Sequence, residues 1–551
     1  MFRINRFTLF WQQIGQISKY ISLGILCFAL VVGCNSNSTQ TSNPSNIGNN
    51  RISIGTTLKP RTLDPADSYE LAGSNIIYNV GESIYTYKLG TTEIEPLLAT
   101  ELPQVSEDGL TYTIPLREGV TFHDGTPFNA EAMVFSLRRF IENGGKPSFL
   151  LADVVDKIEV TGEYELTITL KQPFAAFPAL LAFHGTAAVS PQAYEIGEGK
   201  FAPNKLVGTG KYKLAQFNSD SLSLDINENY WGEPAANEGV DLQIYAGNSA
   251  NLFNSFRTGA IDVAYQSLDA NQISNLVEGA SEDKWQVIDG SGTVVNYLTL
   301  NLQQKPLDRV EVRQAIASII DRALINQRVF EGQAEPIYSL IPTAFDVYAP
   351  KFQVTYGDVN VTKAKELLAK AGYSAENPAI VDIWYPSGSI TRGIVAETLK
   401  AFVERELEGA IQFVPNSVES ASFFGNVGKG IYPATLADWY PDFLDADNYI
   451  QPFLSCSQGS DAGGCQEGAA QSRGSFYYSE RMNQLIDRQR QETNPETRKA
   501  IFTEIQTNLA EDVPYIPLWQ TKDYAFAQNN IEGVIINPSQ NFPFWTIAYK
   551  K

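Results

Sequence analysis

The chain has 551 residues, a formal net charge of -21 at pH 7 and a hydrophobic fraction of 43%. A single hydrophobic core stops growing at roughly 250 to 300 residues, so this length predicts two or three domains. The excess of acidic residues argues against a nucleic-acid-binding protein, because phosphate binding needs clustered Lys and Arg that this sequence does not contain.

The N-terminal segment has the pattern of a secretion signal. Basic residues precede an apolar run at 21–32, which is too short to span a bilayer comfortably and has the length of a signal-peptide core. The run ends in Gly33-Cys34, which resembles the bacterial lipobox, where cleavage occurs before a cysteine that carries the lipid. We therefore predict a lipoprotein signal peptide at 1–33 and lipidation of Cys34. An uncleaved anchor helix with an incidental cysteine is the alternative.

Residues 34–50 follow as a polar linker. After Cys34 the segment consists almost wholly of Asn, Ser, Thr, Gly, Pro and Gln. Such a composition buries too little apolar surface to fold. We expect a flexible tether between the membrane and a folded protein.

From Arg51 onward the pattern alternates between strands and helices. Alternating apolar residues predict one strand at Ile52 and Ile54, and another is predicted at 381–385. Helices are expected at 362–371 and after Asn494, where Pro follows the capping residue. This alternation indicates an α/β architecture.

A further helix is predicted after Asp308. Asp308 and Glu311 have the spacing of a capping box, and the apolar residues from Val312 to Leu324 fall on one helical face. We expect a helix that begins there and continues through this apolar stripe.

Short phrases along the chain match one protein family. They include Pro96-Leu97-Leu98-Ala99, Phe122-His123-Asp124-Gly125, Asn229-Tyr230-Trp231-Gly232, Gly259-Ala260-Ile261-Asp262 and Tyr297-Leu298-Thr299-Leu300-Asn301. Their combination is far more specific than any one phrase. The chain after Arg51 resembles the substrate-binding proteins of bacterial ABC importers in the peptide, dipeptide and nickel group, solute-binding protein family 5.

The resemblance implies an α/β, periplasmic binding protein-like fold with two lobes around a ligand cleft. Its three domains are expected to be discontinuous, because the family builds its first lobe from distant chain segments. Domain I is expected to combine 51–81, 205–300 and 512–551, domain II to span 82–204, and domain III to span 301–511.

The stretch at 435–456 sets acidic residues among aromatic rings. This mixture suits a partly desolvated pocket for an amine-bearing ligand, although a solvated surface turn over an ordinary core is the alternative. The stretch resembles a family motif in which a tryptophan stands three residues before an aspartate. In peptide-binding members that aspartate pairs with the ligand's α-amino group, and by position this role falls on Asp442, beside Trp439 and Tyr440.

The sequence departs from the family near this motif. Asp438 stands where glycine is usual, and Ala446 stands where proline is usual. Dipeptide binders also supply an arginine for the ligand carboxylate after the strand predicted at 381–385. The only candidate in this shorter segment is Arg392, which we include among the expected ligand-binding residues.

Cys456 and Cys465 are predicted to form a disulfide. A stretch rich in Gly and Ser separates them and can bend. An exported protein meets an oxidising compartment, where such pairs are oxidised.

Enzymatic and metal-dependent interpretations have little support in the sequence. His123 and His184 are the only histidines, so a metal site or Ser-His-Asp triad built on histidine would have to use one of them. His123 belongs to the family's turn and His184 to an aromatic run typical of core. Paired acids such as Asp442 and Asp445 would suit a retaining glycosidase, so an anchored hydrolase stays an alternative.

These features predict a lipid-anchored, non-enzymatic receptor in the periplasm or at the cell surface. We expect a monomer that captures a small ligand, first of all a peptide, and delivers it to an ABC transporter permease and ATPase complex. A nickel complex, haem or an oligosaccharide is the alternative ligand. No cofactor, no protein-bound metal and no nucleic acid are expected.

Overall fold

A computed structural model describes residues 50–265 and 268–551. The predicted signal peptide at 1–33, Cys34 and nearly all of the predicted tether at 34–50 lie outside the described residues. The folded unit is 51–551.

The strands of this unit vary widely in length. They are Ile52–Thr56, Tyr85–Tyr87, Ile94–Pro96, Gln104–Val105, Thr111–Pro115, Val155–Gly162, Glu165–Leu170, Tyr212–Phe217, Ser221–Ile226, Gly239–Ile244, Val263–Tyr265, Gln286–Leu300, Ala334–Pro336, Ala379–Pro386, Ile411–Val418, Ala434–Trp439, Gln458–Ser460, Gly464–Glu467, Tyr515–Ala527, Ile531–Glu532 and Ala548–Tyr549.

Helices separate most of these strands. The α-helices are Leu71–Val80, Ala130–Glu142, Phe149–Ala152, Phe177–Leu180, Ser249–Arg257, Ala270–Ser281, Val310–Ile319, Arg322–Phe330, Lys351–Tyr356, Val361–Ala371, Ile390–Glu406, Ser420–Val427, Gln451–Leu454, Ala469–Ser472, Glu480–Gln491 and Pro495–Asp512, and the 3-10 helices are His184–Thr186, Ala446–Tyr449 and Phe544–Thr546.

Two long antiparallel strands lie in the middle of the largest sheet. These crossing strands are Gln286–Leu300 and Tyr515–Ala527. The end of the first crossing strand pairs with Ala434–Trp439, which leads to the parallel strands on one side. The end of the second pairs with Val263–Tyr265, which leads to Ile52–Thr56 and the other side. The two sides of the sheet are therefore joined through one strand pair.

The crossing strands also join two hydrophobic cores. Leu298 and Ile516 are fully buried in the core on one side, whereas Val263 and Ala525 are fully buried in the core on the other. A separate four-stranded sheet, of which Glu165–Leu170 is an inner strand, carries a third core. Burial of several separate apolar cores is what the length of the chain predicts.

The pairing of the crossing strands is interrupted where they pass from one core to the other. The register shifts between Ser291 and Val295. At this point the Thr293 hydroxyl donates a hydrogen bond of 2.6 Å to the carbonyl of Pro538, and the Thr293 carbonyl accepts one of 3.0 Å from Tyr449. Side-chain contacts therefore replace ladder hydrogen bonds where the sheet is locally irregular.

Several predicted elements are confirmed. A strand occupies Ile52–Thr56, and a helix spans Val361–Ala371 and ends at Gly372 in the left-handed conformation, with φ of 85°. The helix Pro495–Asp512 begins with the Asn494 side chain accepting a hydrogen bond from the Thr497 N–H. Local capping chemistry was sufficient to predict these boundaries.

The predicted capping box at Asp308 is wrong, and so is the long apolar helix after it. Arg309 occupies the N-cap of the helix Val310–Ile319, and no side chain caps that helix. Asp308 lies in the preceding turn, where its N–H donates to the Gln304 carbonyl at 3.0 Å. The helix ends at Ile319, because Asp321 caps a new helix by accepting a hydrogen bond from the Leu324 N–H.

The structure pairs Cys456 with Cys465. Their Sγ atoms lie 2.10 Å apart, and the bond closes a segment with a sequence separation of nine residues. Both cysteines are buried; Cys465 lies within the hairpin formed by the strands Gln458–Ser460 and Gly464–Glu467, and Cys456 lies just before it. The hairpin is thus covalently closed at its base.

Replacing both Cys456 and Cys465 by Ala should lower the free energy of unfolding by about 2 to 3 kcal/mol, because closing so short a loop restricts the unfolded chain. Urea unfolding with and without reductant measures the loss. The reductant should have no effect on the double variant. Alkylation of either cysteine in the denatured, unreduced wild type, mapped by peptide mass spectrometry, would contradict the pairing.

Candidate ligand-binding cleft

The segment at 435–456 leaves the sheet and folds back on itself. The strand Ala434–Trp439 ends at the tryptophan, and the 3-10 helix Ala446–Tyr449 follows. The Asn448 side-chain oxygen accepts hydrogen bonds from the Asp442 backbone N–H at 2.9 Å and from the Trp439 ring N–H at 3.2 Å. One buried amide therefore fixes both residues of the predicted ligand motif.

Asp442 is partly buried and accepts a hydrogen bond from a tyrosine. The Tyr69 hydroxyl donates a hydrogen bond of 2.5 Å to Asp442 Oδ1. Burial raises the pKa of Asp442, and the hydrogen bonds from Tyr69 and Asn448 and the charge of Arg473 oppose this only in part. Within 50–265 and 268–551, Asp442 forms no ion pair with Lys, Arg or His.

The other acids of the segment lie beside arginines, although burial still raises the pKa of Asp447. Arg498 donates two hydrogen bonds of 2.7 Å to Asp445. Burial alone would raise the pKa of Asp445, but the charge and hydrogen bonds of Arg498 outweigh it and lower that pKa. Asp447 accepts a hydrogen bond from Gln489 and lies 3.8 Å from Arg490. Asp442 thus differs from its neighbours in having no cationic partner.

Arg392 and Tyr440, both expected at the ligand, lie in different surroundings. Tyr440 is 54% exposed. Arg392 Nη2 lies 2.6 Å from Asp438 Oδ1, so the arginine is paired with the residue that stands where the family has glycine. The Arg392 Nε is buried and finds no hydrogen-bond partner among the described residues.

Two cavities meet at Asp442. The larger has a volume of about 860 Å³, and Phe149, Phe174 and Gln451 are among its lining residues. The smaller has a volume of about 570 Å³, and its lining includes Tyr440 and His184. Five residues line both cavities, namely Tyr69, Trp439, Asp442, Phe443 and Arg473. We call the two cavities together the cleft.

Segments distant in sequence meet across this cleft. Tyr69 lies 373 residues from Asp442 in the sequence. The Leu444 N–H donates a hydrogen bond of 2.8 Å to the Tyr87 hydroxyl, and the Phe174 and Phe443 rings meet edge to face with centroids 6.0 Å apart. Tyr69 and Arg473 were missed at the sequence level, because no local pattern connects them to the motif.

Both histidines have buried, neutral surroundings. Burial lowers the pKa of His123 and of His184 to about 4. His123 Nε2 lies 3.0 Å from the Gly210 carbonyl, and His184 Nε2 lies 3.0 Å from the Ser74 hydroxyl. The described part of the chain contains no cluster of His, Cys, Asp and Glu that would hold a metal ion.

Comparison with known proteins gives a consistent set of relatives. The family profile described as "Bacterial extracellular solute-binding proteins, family 5 Middle" matches residues 93–461. Heme-binding protein A of Haemophilus influenzae is 25% identical over 540 residues, covering 93% of this chain and 94% of that protein. Glutathione-binding protein GsiB of Salmonella typhi is 28% identical over 496 residues, covering 88% of this chain and 91% of that protein.

A solved structure extends the similarity to three dimensions. The ABC transporter-associated periplasmic binding protein DppA from Helicobacter pylori, in complex with the peptide STSA, superposes with a TM-score of 0.70 at 25% sequence identity. The alignment covers 91% of this chain and 98% of that chain. The predicted α/β fold of the periplasmic binding protein type, with two lobes around a cleft, is confirmed.

The chain belongs to family 5 of the bacterial extracellular solute-binding proteins, because the profile match spans more than half of its length. It is therefore a binding protein rather than an enzyme, and it serves an ABC transporter as an extracytoplasmic receptor for a small ligand. Among the residues that the structure describes, none belongs to a helix long and apolar enough to cross a membrane.

Opposite effects on stability are expected from Asp442→Asn and Asp445→Asn in the ligand-free protein. Because burial raises the pKa of Asp442 above its ordinary 3.8, ionisation of Asp442 destabilises the fold at neutral pH. Asp442→Asn should therefore raise the unfolding temperature at pH 7, and the gain should shrink as the pH falls towards 3.8.

Asp445→Asn provides the matched control. The pKa of Asp445 is lowered, so its ionised form stabilises the fold above the unfolded-state pKa, and this contribution is lost as the pH falls. Leaving the Arg498 charge without its carboxylate, with only the hydrogen bonds to Gln489, should cost about 3 to 5 kcal/mol at pH 7. Thermal unfolding of both variants between pH 3 and 8 measures the two effects. A shift of the same sign for both at pH 7 would refute the assignment.

Proposed function

We propose that the ligand is a peptide and that Asp442 receives its α-ammonium group. The single observation that carries this proposal is the state of Asp442, a desolvated carboxylate at the junction of two cavities without a cationic partner among the described residues. A ligand ammonium would supply the positive charge that no Lys, Arg or His of the described residues places in an ion pair with Asp442. The Tyr69 hydroxyl donates to the carboxylate at 2.5 Å and would orient it for the ligand.

The walls around Asp442 support the same ligand class. Trp439 and Tyr440 are proposed to flank the peptide, as their positions on the cavity lining permit. The cavity volumes of about 860 and 570 Å³ lie in the range of small-molecule sites. A solved relative holds a tetrapeptide, and another relative is named for glutathione, itself a tripeptide, which favours a short peptide for this chain too.

Arg392 remains a proposed contact for the ligand carboxylate, through a rearrangement of its pair with Asp438. Its buried Nε, unsatisfied within 50–265 and 268–551, is the observation in favour of this role. The pair with Asp438 weighs against it, because breaking an ion pair to bind a ligand costs affinity.

We also propose the three discontinuous domains with the boundaries given above. The boundaries near 300 and 512 fall at the ends of the crossing strands, Gln286–Leu300 and Tyr515–Ala527. Closure of the cleft would then bend these strands at the register shift between Ser291 and Val295. Hinges of this kind need only a few residues to absorb the motion.

For localisation, we propose that a lipid on Cys34 anchors a monomer, which hands its ligand to a permease and ATPase complex. The lipobox-like sequence and the polar segment at 34–50 support an anchor with a tether.

Cys34→Ala should abolish lipidation and move the protein from the membrane fraction to the soluble fraction. Alanine has no thiol, so the proposed attachment of a lipid through the Cys34 sulfur cannot form. Intact-mass spectrometry of protein recovered from membranes measures the added lipid. A wild-type protein recovered from membranes without lipid mass on Cys34 would end this proposal.

Asp442→Asn should lower the affinity for a short peptide by at least roughly 30-fold without unfolding the protein, because truncating one partner of a buried charge pair costs about 2 to 5 kcal/mol. N-acetylation of the peptide should cause a similar loss in the wild type and little further loss in the variant. Calorimetry on this four-way cycle measures the coupling between the carboxylate and the amine.

Asp487→Asn is the matched control, since Asp487 also lines the larger cavity. It should leave the cost of N-acetylation unchanged. If the losses from Asp442→Asn and from N-acetylation simply add, Asp442 does not hold the amine. Binding of haem or a nickel complex by a wild type that binds no peptide would redirect the assignment to those ligands.

A further inference from the structure

Arg473 has an unusual position in the cleft. It lines both cavities together with Asp442 and Trp439. Its guanidinium carbon lies 4.4 Å from the centre of the Trp439 ring and 5.9 Å from that of Phe453. Across the described residues, no hydrogen bond and no ion pair engages its side chain. Stacking on an aromatic face holds the plane of a guanidinium while leaving its N–H groups available.

The other cations near the cleft are already engaged. Arg490 lies 3.8 Å from Asp447 and stacks on Phe174 at 4.4 Å. Lys171 donates a hydrogen bond of 2.7 Å to the carbonyl of Ala152. Arg392 is paired with Asp438 and does not line either of the two cavities. Arg473 is therefore the cation on the cleft lining that has neither a hydrogen-bond acceptor nor an ion-pair partner in the described residues.

Arg473 lies on a segment that backbone hydrogen bonds hold in place. It directly follows the short helix Ala469–Ser472, and its backbone N–H donates to the Ala469 carbonyl at 2.9 Å. The Ala470 N–H donates to the Ser455 carbonyl at 3.0 Å, beside the disulfide-bonded Cys456. A functional group on a supported segment loses less conformational freedom when it binds.

The charges of Asp442 and Arg473 influence each other without forming a pair. The Arg473 charge lowers the pKa of Asp442, yet the two side chains make no ion pair. A cleft with a separated carboxylate and guanidinium is complementary to a ligand that carries an ammonium and an anion at a fixed spacing. An Arg fork matches a planar carboxylate in particular.

We infer that Arg473 binds the carboxylate of a zwitterionic ligand whose ammonium lies at Asp442. This inference rests on the proposed peptide function and names the group that recognises the second terminus. Trp439 then forms part of the cleft lining and also orients the Arg473 guanidinium that stacks on its ring. In this assignment Arg473 replaces Arg392 as the contact for the carboxylate, because Arg392 stays paired with Asp438 and lines neither cavity.

The test measures the affinity of each protein variant for peptides with free or blocked termini. The probe is a pooled library of dipeptides to tetrapeptides, prepared with free termini, with amidated C-termini, or with N-acetylated N-termini. The proteins are the wild type, Arg473→Gln, Arg473→Lys, Arg392→Gln and the surface control Arg481→Gln, whose side chain is 65% exposed and pairs with Glu504. Equilibrium dialysis with mass-spectrometric detection gives the affinity for each peptide.

Amidation should weaken binding to the wild type by at least about tenfold, because it removes a charge-assisted bidentate contact. Arg473→Gln should weaken binding of free peptides by a similar factor, and amidation should then add little. Arg392→Gln and Arg481→Gln should retain the full penalty of amidation. If Arg473→Gln does not fold, Arg473→Lys decides, since a lysine should keep only part of that penalty.

Three results would overturn the inference. If amidation weakens binding to Arg473→Gln or Arg473→Lys as much as it weakens binding to the wild type, Arg473 does not bind the ligand carboxylate. Loss of the penalty in Arg392→Gln assigns the carboxylate to Arg392 instead. In both cases a penalty for N-acetylation would persist, and the peptide function would stand. If the wild type binds none of the peptides in the library, the proposed function fails and the inference fails with it.

Discussion

The fold depends on one constraint, which is that a single antiparallel strand pair joins the two sides of its main sheet. Leu298 and Ile516 bury one part of that pair in one core, and Ala525 buries another part in a different core. Between them the register shifts at 291–295, and ladder hydrogen bonds give way to side-chain contacts through Thr293. Packed cores resist deformation, so a motion between the two sides has to concentrate where the packing and the pairing are interrupted.

The acids in and behind the cleft differ in how their charges are balanced. Asp445 and Asp447 face Arg498 and Arg490. Asp442 has no ion-pair partner among the described residues, and burial raises its pKa because the hydrogen bonds from Tyr69 and Asn448 and the charge of Arg473 compensate only in part. The ligand-free protein therefore carries a destabilising charge that a cationic ligand group would relieve. Binding sites commonly retain such unfavourable groups, because stability and function place opposite demands on them.

The sequence was informative wherever one local interaction decides the structure. Asn494 caps its helix as predicted, and Gly372 ends another because the left-handed backbone conformation at that helix end favours glycine. Local patterns misled at Asp308, where the capping spacing is present but the residue belongs to a turn, while Asp321 caps the next helix. The motif around Asp442 could be located through its family resemblance. Its partners could not be found, because Tyr69 and Arg498 reach it from remote parts of the fold.

The residue at position 438 affects which arginine can bind a ligand carboxylate. Glycine is usual there in the family that the sequence resembles, and this chain places a carboxylate 2.6 Å from Arg392. A ligand carboxylate that approached Arg392 would meet a guanidinium already neutralised and an acid that repels it, so net attraction there is small. The stacked guanidinium of Arg473 faces the cavities without such a neighbour among the described residues. Asp438 neutralises Arg392, which lines neither cavity, whereas Arg473 lines both, so a ligand anion in the cleft would meet Arg473 rather than Arg392.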